Sequence, residues 1–553
     1  MPSLVLGPLL RHVDKISATI FVEADSACLV SITATGDGGG RRLGQATTFH
    51  IRGHHFALII IEGLEPGSVT PYQVRLDDAL VWPLADSVRP ASRIRTPGGD
   101  GAFTVAFGSC RYATPLVITG DDDEEFPPDA LDTYSSTIAA LPEEQWPDAL
   151  VLLGDQVYAD ETAEVTKRYL ASRRDLSKAP YDQLADFEEF TYIYRQSWTD
   201  PDIRWLLSTI PSSMIFDDHD VIDDWNTSAA WRETVTAYDW WPERAIGALG
   251  SYWVYQHIGN LSPDELRADP KFEQITAAQD GYDALRELAL EADRNPTSIR
   301  WSYRRKWHTV RLFMIDSRAA RSLEEGRRAM LDDEEFSWLE QMLSEAGNDD
   351  MEHVLVGSSL PWLMPPAIHD LEGWNAALVS RFHGRRMGRW AEKFRQAGDL
   401  EHWAAFRESF DRLGAALEAL GRGEHGKAPR SVLVLSGDVH HAYVAEVVSP
   451  TDITSRIYQL TCSPVHNAVP HPMVQAFKIG WSRPAMVLTA ALRRLAGVGR
   501  TRLRWTKRSG PFFGNELAVL VLDGDRAELR FEKAEAGEDG KPRLRTVFTG
   551  RLT

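Results

Sequence analysis

The chain has 553 residues, a formal net charge of −20 at pH 7, 43% hydrophobic residues and 18 tryptophans. That length exceeds what one hydrophobic core normally covers, so about two or three domains are expected. The acidic balance argues against nucleic-acid binding by the bulk of the surface, and it repels anionic ligands at long range.

Three cysteines, Cys28, Cys110 and Cys462, are too few and odd in number for a disulfide framework and fit a reducing compartment. The opening MPSLVLGPLLRHV is short in apolar length for a signal peptide and lacks a small-residue cleavage site. No run approaches the ~18–20 apolar residues of a membrane span. The expectation is a soluble, cytoplasmic, bacterial-type enzyme.

Residues 1–97 read as an all-β domain, with short β-rich runs at Ser17–Ala24, Cys28–Thr35, Phe56–Ile61 and Tyr72–Leu76. The turn Gly63–Gly67 followed by Tyr72 resembles the corner of a fibronectin-type sandwich. His54 and His55 are adjacent and could bind a metal, but solvated strand-edge histidines are the favoured reading. Arg95–Gly101 is a linker by composition.

Phe103–Phe107 is a strand ending in Gly108-Ser109-Cys110-Arg111, and the acidic run Asp121–Glu125 reads as a solvated tip. Ala149–Leu153 is a short apolar run too brief for a helix, and so a buried parallel strand. Gly154, Asp155 and, three residues on, Tyr158 follow it. In open α/β sheets chemistry gathers at the carboxyl ends of strands, where loops aim polar groups into a crevice. Ser431–His441 repeats the device, with Gly437, Asp438, His440 and His441 after an apolar run.

Residues 161–210 look helical. Met214–Phe216 is a brief strand leading into Asp217, Asp218, His219, Asp220, Asp223 and Asp224. Carboxylates so dense repel one another strongly in a partly buried loop, and bound cations would relieve the cost. The plainer alternative is an exposed acidic loop. A helical insertion spans about residues 261–300, a strand at Thr309–Ile315 runs into Asp316-Ser317-Arg318, and another occupies His353–Val356. Helix is expected from Trp390 to Leu420 with a break near Gly398. Strands alternating with long helical crossovers indicate a mostly parallel sheet wrapped by helices.

Lys478–Arg508 carries nine Lys and Arg and no acid, with helical spacing over Pro484–Ala496. It reads either as a contact for anionic lipid or a lid over an anionic substrate, or as a basic helix docked on an acidic body, the last being favoured. Leu517–Leu522 and Ala527–Phe531 close the chain as a hairpin. The expected division is thus 1–97, 101–475 and 476–553.

The strand-end groups collect into one set: Cys110, Asp155, Tyr158, Asp218, His219, Asp438, His440 and His441. Carboxylates suit hard cations, whereas thiolate and imidazole suit softer transition metals, and a tyrosinate beside a thiolate suits a ferric ion. Singly, Cys110 reads equally as a small buried hydrophobe and Tyr158 as a packing ring.

The motifs FGSCR, LLGDQVYAD, FDDHDVIDDWN, MIDSRAAR and LSGDVHHA resemble, in order, those of the PhoD-like alkaline phosphatases, a branch of the metallophosphoesterase superfamily. The resemblance spans about residues 100–470, and the preceding sandwich is similar to that family's N-terminal domain. It implies a four-layer α/β/β/α catalytic domain acting on phosphate esters. It also implies a ferric ion at Cys110, Asp155, Tyr158 and His440, calcium near Asp155, Asp218 and Asp438, and His219 beside the transferred phosphoryl group. Two departures stand out: no twin-arginine export signal is seen, and Asp220 stands where glutamate is more usual.

The mechanism expected from such ions is in-line attack by a metal-activated hydroxide. Arg111 and Arg318 would neutralise phosphate oxygens, and His219 or His441 would protonate the leaving group. A competing reading is a catalytically silent, metal-stabilised module that docks a partner or lipid. A glycosidase using Asp217–Asp224 fares worst, because it leaves Cys110, Tyr158 and His440 without a task.

Overall fold

The computed structural model of the chain describes residues 1–36, 39–98, 101–113, 127–347, 350–448, 450–469, 471–538 and 540–553. The acidic run Asp121–Glu125 lies outside them. The N-terminal region is a sandwich of two antiparallel sheets. One is ordered Leu4–Val13, Ser17–Ala24, His54–Glu62, Phe49–Ile51; the other is Arg41–Thr47, Leu29–Thr35, Val69–Leu76, Ala79–Trp82, with Arg93–Arg95 paired to Val69–Leu76. Alternation along Leu29–Thr35 sends Val30, Ile32 and Ala34 inward to meet Ile20, Ile59 and Val74.

Ser17–Ala24 does not alternate: it is buried throughout, because its second face is covered as well. Phe21 and Phe56 on that face pack edge-on against Tyr255, at 5.8 and 5.5 Å between ring centres. Arg11, fully buried on the first strand, donates to the carbonyls of Tyr255 (3.1 Å) and Gln256 (2.8 Å). Tyr72, expected to close a corner within the sandwich, instead donates to the Ser208 carbonyl at 2.6 Å. The sandwich is therefore bolted to the rest of the molecule by its inner sheet.

His54 is neither a solvated edge residue nor placed like a ligand. Nδ1 lies 2.9 Å from Glu23 and Nε2 lies 3.0 Å from Glu188, at the junction with the helix Phe187–Trp198. Burial opposes its protonation, but the two carboxylates outweigh it and raise its pKa to about 9.

The remainder of the chain is a four-layer α/β/β/α arrangement, as expected. Its six-stranded sheet runs Ser212–Ile215, Ala149–Leu153, Phe103–Gly108, Glu516–Asp523, Arg526–Ala536, Pro542–Arg551. The first three strands are parallel, and Glu516–Asp523 joins them antiparallel. The seven-stranded sheet runs Tyr303–Trp307, Val310–Ile315, His353–Ser358, Ser431–Ser436, Arg456–Thr461, Ala442–Val447, Trp505–Phe512, with four parallel strands at its centre. The parallel strands Ala149–Leu153, Ser212–Ile215, Val310–Ile315, His353–Ser358 and Ser431–Ser436 are buried end to end, as expected of strands covered on both faces. The expected C-terminal hairpin is longer than the sequence suggested: three strands extend one sheet, and Trp505–Phe512, inside the basic stretch, edges the other.

The helix Arg483–Leu495 within that stretch docks on the helix Pro366–Arg381. Its buried Arg493 pairs with Asp370 at 2.7 Å. Among the described residues no helix is long and apolar enough to cross a membrane, and all three cysteines are buried and free.

Candidate metal centre

Four loops leave the carboxyl ends of Phe103–Gly108, Ala149–Leu153, Ser212–Ile215 and Ser431–Ser436 and meet between the two sheets. Two glycines permit the approach. A Cβ on Gly154, whose φ is +103°, would lie 2.4 Å from the Cβ of Asp217, and one on Gly437 would lie 1.9 Å from Ser109 Oγ. Cys110, Asp155, Asp438 and His440 all have φ between +49° and +66°. Such left-handed backbone is costly outside glycine and persists where surrounding structure imposes it.

Asp220 supplies much of that imposition. One carboxylate oxygen accepts from the backbone N–H groups of Asp155 (2.8 Å) and Asp217 (2.9 Å), and the other from those of Gln156 (3.1 Å) and Val157 (3.3 Å). The residue that stands in place of the usual glutamate is thus a clamp on two loops. Burial raises its pKa to about 7, against the pull of those donors.

At the centre, Asp155, Asp217 and Asp218 each offer an oxygen, and the three oxygens lie within 4.8 Å of one another. Asp155 Oδ1 and Asp217 Oδ2 are buried without a donor, whereas Asp218 Oδ1 has only the Arg318 guanidinium, 3.2 Å away. Buried carboxylate oxygens normally have partners, so the first two are anomalous unless cations fill the gap. Burial, then Cys110 and Asp217, raises the pKa of Asp155; burial also raises Asp217 and Asp218.

Beneath them lies Arg318, fully buried. Its guanidinium pairs with Asp217 and Glu401, and reaches Asp218 at 3.2 Å and Asp438 at 3.3 Å. Arg321 pairs with the other oxygen of Glu401 at 3.0 Å. Four carboxylates thus face two guanidiniums.

Cys110 is fully buried; Ser463 Oγ donates to its sulfur at 3.1 Å, and Ser109 Oγ lies 3.2 Å away. Burial, then Asp438, pushes its thiol up to about 12. Tyr158 Oη accepts from Asn467 Nδ2 at 2.9 Å, and burial, then Cys110 and Asp155, raises its pKa. Burial lowers His440 to about 4, which keeps the ring neutral, the form in which imidazole binds metals. Cys110, Asp438 and His440 stand outside the 4.8 Å spacing of the aspartate trio.

His219 Nδ1 lies 2.8 Å from Asp160, and its ring centre is 4.6 Å from that of Tyr158. Burial disfavours its charge, but Asp160, then Asp218 and Asp155, outweigh it and raise its pKa. A second dyad was not foreseen: His402 lies 2.9 Å from Glu372 through Nδ1 and 3.2 Å from Asp438 through Nε2.

Asp155, Asp218, His219, His402, Asp438 and His440 share one cavity of about 460 Å³, with Asp223, Asp224, Asp399 and Glu401 around them. Its opposite wall is apolar: Met364, Ile368, Leu371, Met473 and Phe477. No lysine or arginine lines it among the described residues.

The structure does not bring every expected group to this cavity. Arg111 Nε pairs with Asp129 at 2.8 Å, and Nη1 donates to the Ser197 carbonyl at 3.1 Å. His441 donates through Nδ1 to the Val439 carbonyl and packs among Phe477, Tyr443 and Phe513. Of the residues not singled out from sequence, Asp160 closes the very stretch that holds Asp155. Glu401 and His402 follow the helix break at Gly398.

Residues 1–94 match a domain of unknown function (DUF7800), and residues 130–486 match the PhoD-like phosphatase family. No curated protein matches the chain. A solved structure titled "Structure of PhoD" aligns at a TM-score of 0.58 and 11% identity, covering 99% of this chain and 92% of that one. The purple acid phosphatase PPD1 from yellow lupin (Lupinus luteus) seeds aligns at 0.51 and 10% identity, covering 98% and 73%. At such identities the likeness is one of fold. The family match takes in three of the four converging loops and the Arg318 turn, and by it the chain belongs to the PhoD-like phosphatases.

Proposed function

We propose that this chain hydrolyses phosphoric monoesters or diesters with the help of multivalent cations held between its sheets. The observation that carries the proposal is the buried trio Asp155, Asp217 and Asp218, in which Asp155 Oδ1 and Asp217 Oδ2 lack donors, beside a cavity that Asp155 and Asp218 line and that, among the described residues, no lysine or arginine lines. An anionic ester would be repelled there unless bound ions reversed the local sign. The oxygen donors of Asp155, Asp218 and Asp438 fit calcium; the thiol of Cys110, the phenol of Tyr158 and the neutral imidazole of His440, with Asp155, fit a ferric ion. When bound, such ions supply charge opposite the phosphate oxygens and acidify an attacking water.

The protein's own part is positioning and proton handling. Asp220 fixes the backbones that carry Asp155 and Asp217. Asp160 accepts from Nδ1 of His219 and, with Asp218 and Asp155, favours the imidazolium, whose second proton on Nε2 is the one passed to a leaving oxygen, making His219 the general acid. Arg318 offsets part of the carboxylate charge from below rather than touching substrate. Arg111 and His441 are given no direct part in this proposal, since neither lines the cavity: Arg111 Nε pairs with Asp129, and His441 packs among aromatic rings.

The test couples elemental analysis of the purified protein with release of a chromogenic phenol from aryl monoester and diester phosphates. Bound ions with turnover support the proposal. A protein that takes up neither iron nor calcium and releases no phenol would refute it and leave the silent binding module. Cys110→Ser is expected to lose iron together with its thiolate absorption; unchanged iron content and turnover would remove Cys110 from the site.

A further inference from the structure

The apolar wall of the cavity continues onto the outside of the molecule. Ile368 and Leu371 belong to the helix Pro366–Arg381, which is flanked on both sides. On one side Asp370 pairs with Arg493 of Arg483–Leu495; on the other Asn375 donates to the Ala391 carbonyl of Arg386–Ala397 at 2.8 Å. The flanking helices turn apolar side chains to solvent: Trp390 is 52% exposed, Val487 71%, Leu488 63% and Leu495 80%. Trp390 is braced by Phe394, stacked at 5.8 Å, and by Trp374 at 6.3 Å.

The same helices and their connections carry exposed cations at Arg385, Arg386, Arg389, Arg483 and Arg494, with Lys478 on the preceding helix, which lends Met473 and Phe477 to the cavity. On a chain of net charge −20 this is a local reversal of sign. Docking of Arg493 against Asp370 accounts for one cation of the helix and leaves its outward apolar stripe uncovered.

We propose that this three-helix face docks on an anionic lipid bilayer, with Trp390, Val487, Leu488 and Leu495 inserted among the headgroups and the arginines against lipid phosphates. Exposed apolar tips ringed by basic side chains combine the two terms that hold peripheral proteins on such membranes. A soluble acidic partner would match the cations but not the unpaired apolar tips. Docking is independent of the hydrolase proposal. That the cavity then meets a lipid-borne phosphate ester, its acyl part along Ile368, Leu371 and Phe477, rests on that proposal.

Co-sedimentation of the full chain with vesicles of phosphatidylcholine, alone or mixed with phosphatidylglycerol, tests it. Binding is expected to the mixed vesicles only and to weaken with salt. The Val487→Glu/Leu488→Glu and Arg385→Glu/Arg386→Glu variants should each bind at least about tenfold more weakly, with an unchanged thermal midpoint. Trp390→Ala serves as a milder third variant, expected to weaken binding without added charge. Absence of wild-type binding to the mixed vesicles would overturn the proposal, as would undiminished binding by all three variants. So would a dimer that the variants convert to monomer in sedimentation velocity while vesicle binding stays the same. Vesicle binding without any phosphate ester hydrolysis would count against the hydrolase proposal alone.

Discussion

Two trios of aspartates in this molecule have the same spacing and opposite circumstances. Asp132, Asp200 and Asp202 lie as close together as Asp155, Asp217 and Asp218. Yet the first trio is half exposed and occupied with its own backbone. Asp200 caps the helix Pro201–Thr209 by accepting from the N–H groups of Asp202 and Ile203, and Asp202 pairs with Arg89 and accepts from Ser136. The second trio is buried, and in it Asp155, on left-handed backbone, and Asp217 each keep an oxygen that no donor satisfies. Proximity of carboxylates is therefore a weak sign of a site; a buried oxygen left without a donor is a strong one.

The contrast is broken most directly by neutralising one member of each trio. Asp155→Asn is expected to abolish ion binding and lower turnover by about a thousandfold or more, whereas Asp202→Asn should leave both near wild type. Ion content and phenol release measure the pair; equal losses would erase the distinction. Next come the groups that arrange each trio. Asp220→Ala strips the acceptor from four buried N–H groups and should cost about 3 kcal/mol or more of stability. Asp200→Ala removes a helix cap and should cost about 1 kcal/mol. Denaturant midpoints report both.

The smallest effect is one of pH. Burial, then Glu401 and Asp223, pushes the Asp224 carboxyl up to about 9, far above the usual carboxylate range. A carboxyl with a raised folded pKa keeps its proton in the folded state after the unfolded chain has lost it. Stability of the ion-free protein should therefore fall as pH rises from about 4 to about 9 on account of this group. In chelator, Asp224→Asn is expected to be more stable than wild type by on the order of 1 kcal/mol at pH 8 and equal to it at pH 4. With ions added, that advantage should vanish.

Much of this site was legible because its ligands follow short apolar strands, a pattern visible without knowing the fold. Asp155, Asp218, Asp438 and His440 were found that way, and the strands Ala149–Leu153, Val310–Ile315, His353–Ser358, Ser431–Ser436 and Arg456–Thr461 fell close to where the apolar runs placed them, whereas the helix Pro366–Arg381 and the strand Ala442–Val447 were not foreseen. What escaped depends on distant chain. Glu372 and His402 come from helical segments, and only the sheet-to-helix packing brings their dyad to Asp438. His440 and His441 looked equivalent as neighbours, although adjacent residues leaving a strand point to opposite sides. One entered the cavity and the other an aromatic cluster. The first strand, Leu4–Val13, was passed over because its burial on both faces removes the alternation that marks a sandwich strand.

The order in which strands are laid into the six-stranded sheet bears on how the protein comes into being. Phe103 pairs with Leu522 and Phe107 with Ala518, so the strand that delivers Cys110 finds one of its two neighbours only near the chain's far end. During synthesis its flank stays open while the ribosome adds the whole helical region, an exposure that invites mispairing and calls for chaperones. The four loops that meet between the sheets can settle only after that late pairing, so any ion they hold is bound after Glu516–Asp523 is in place.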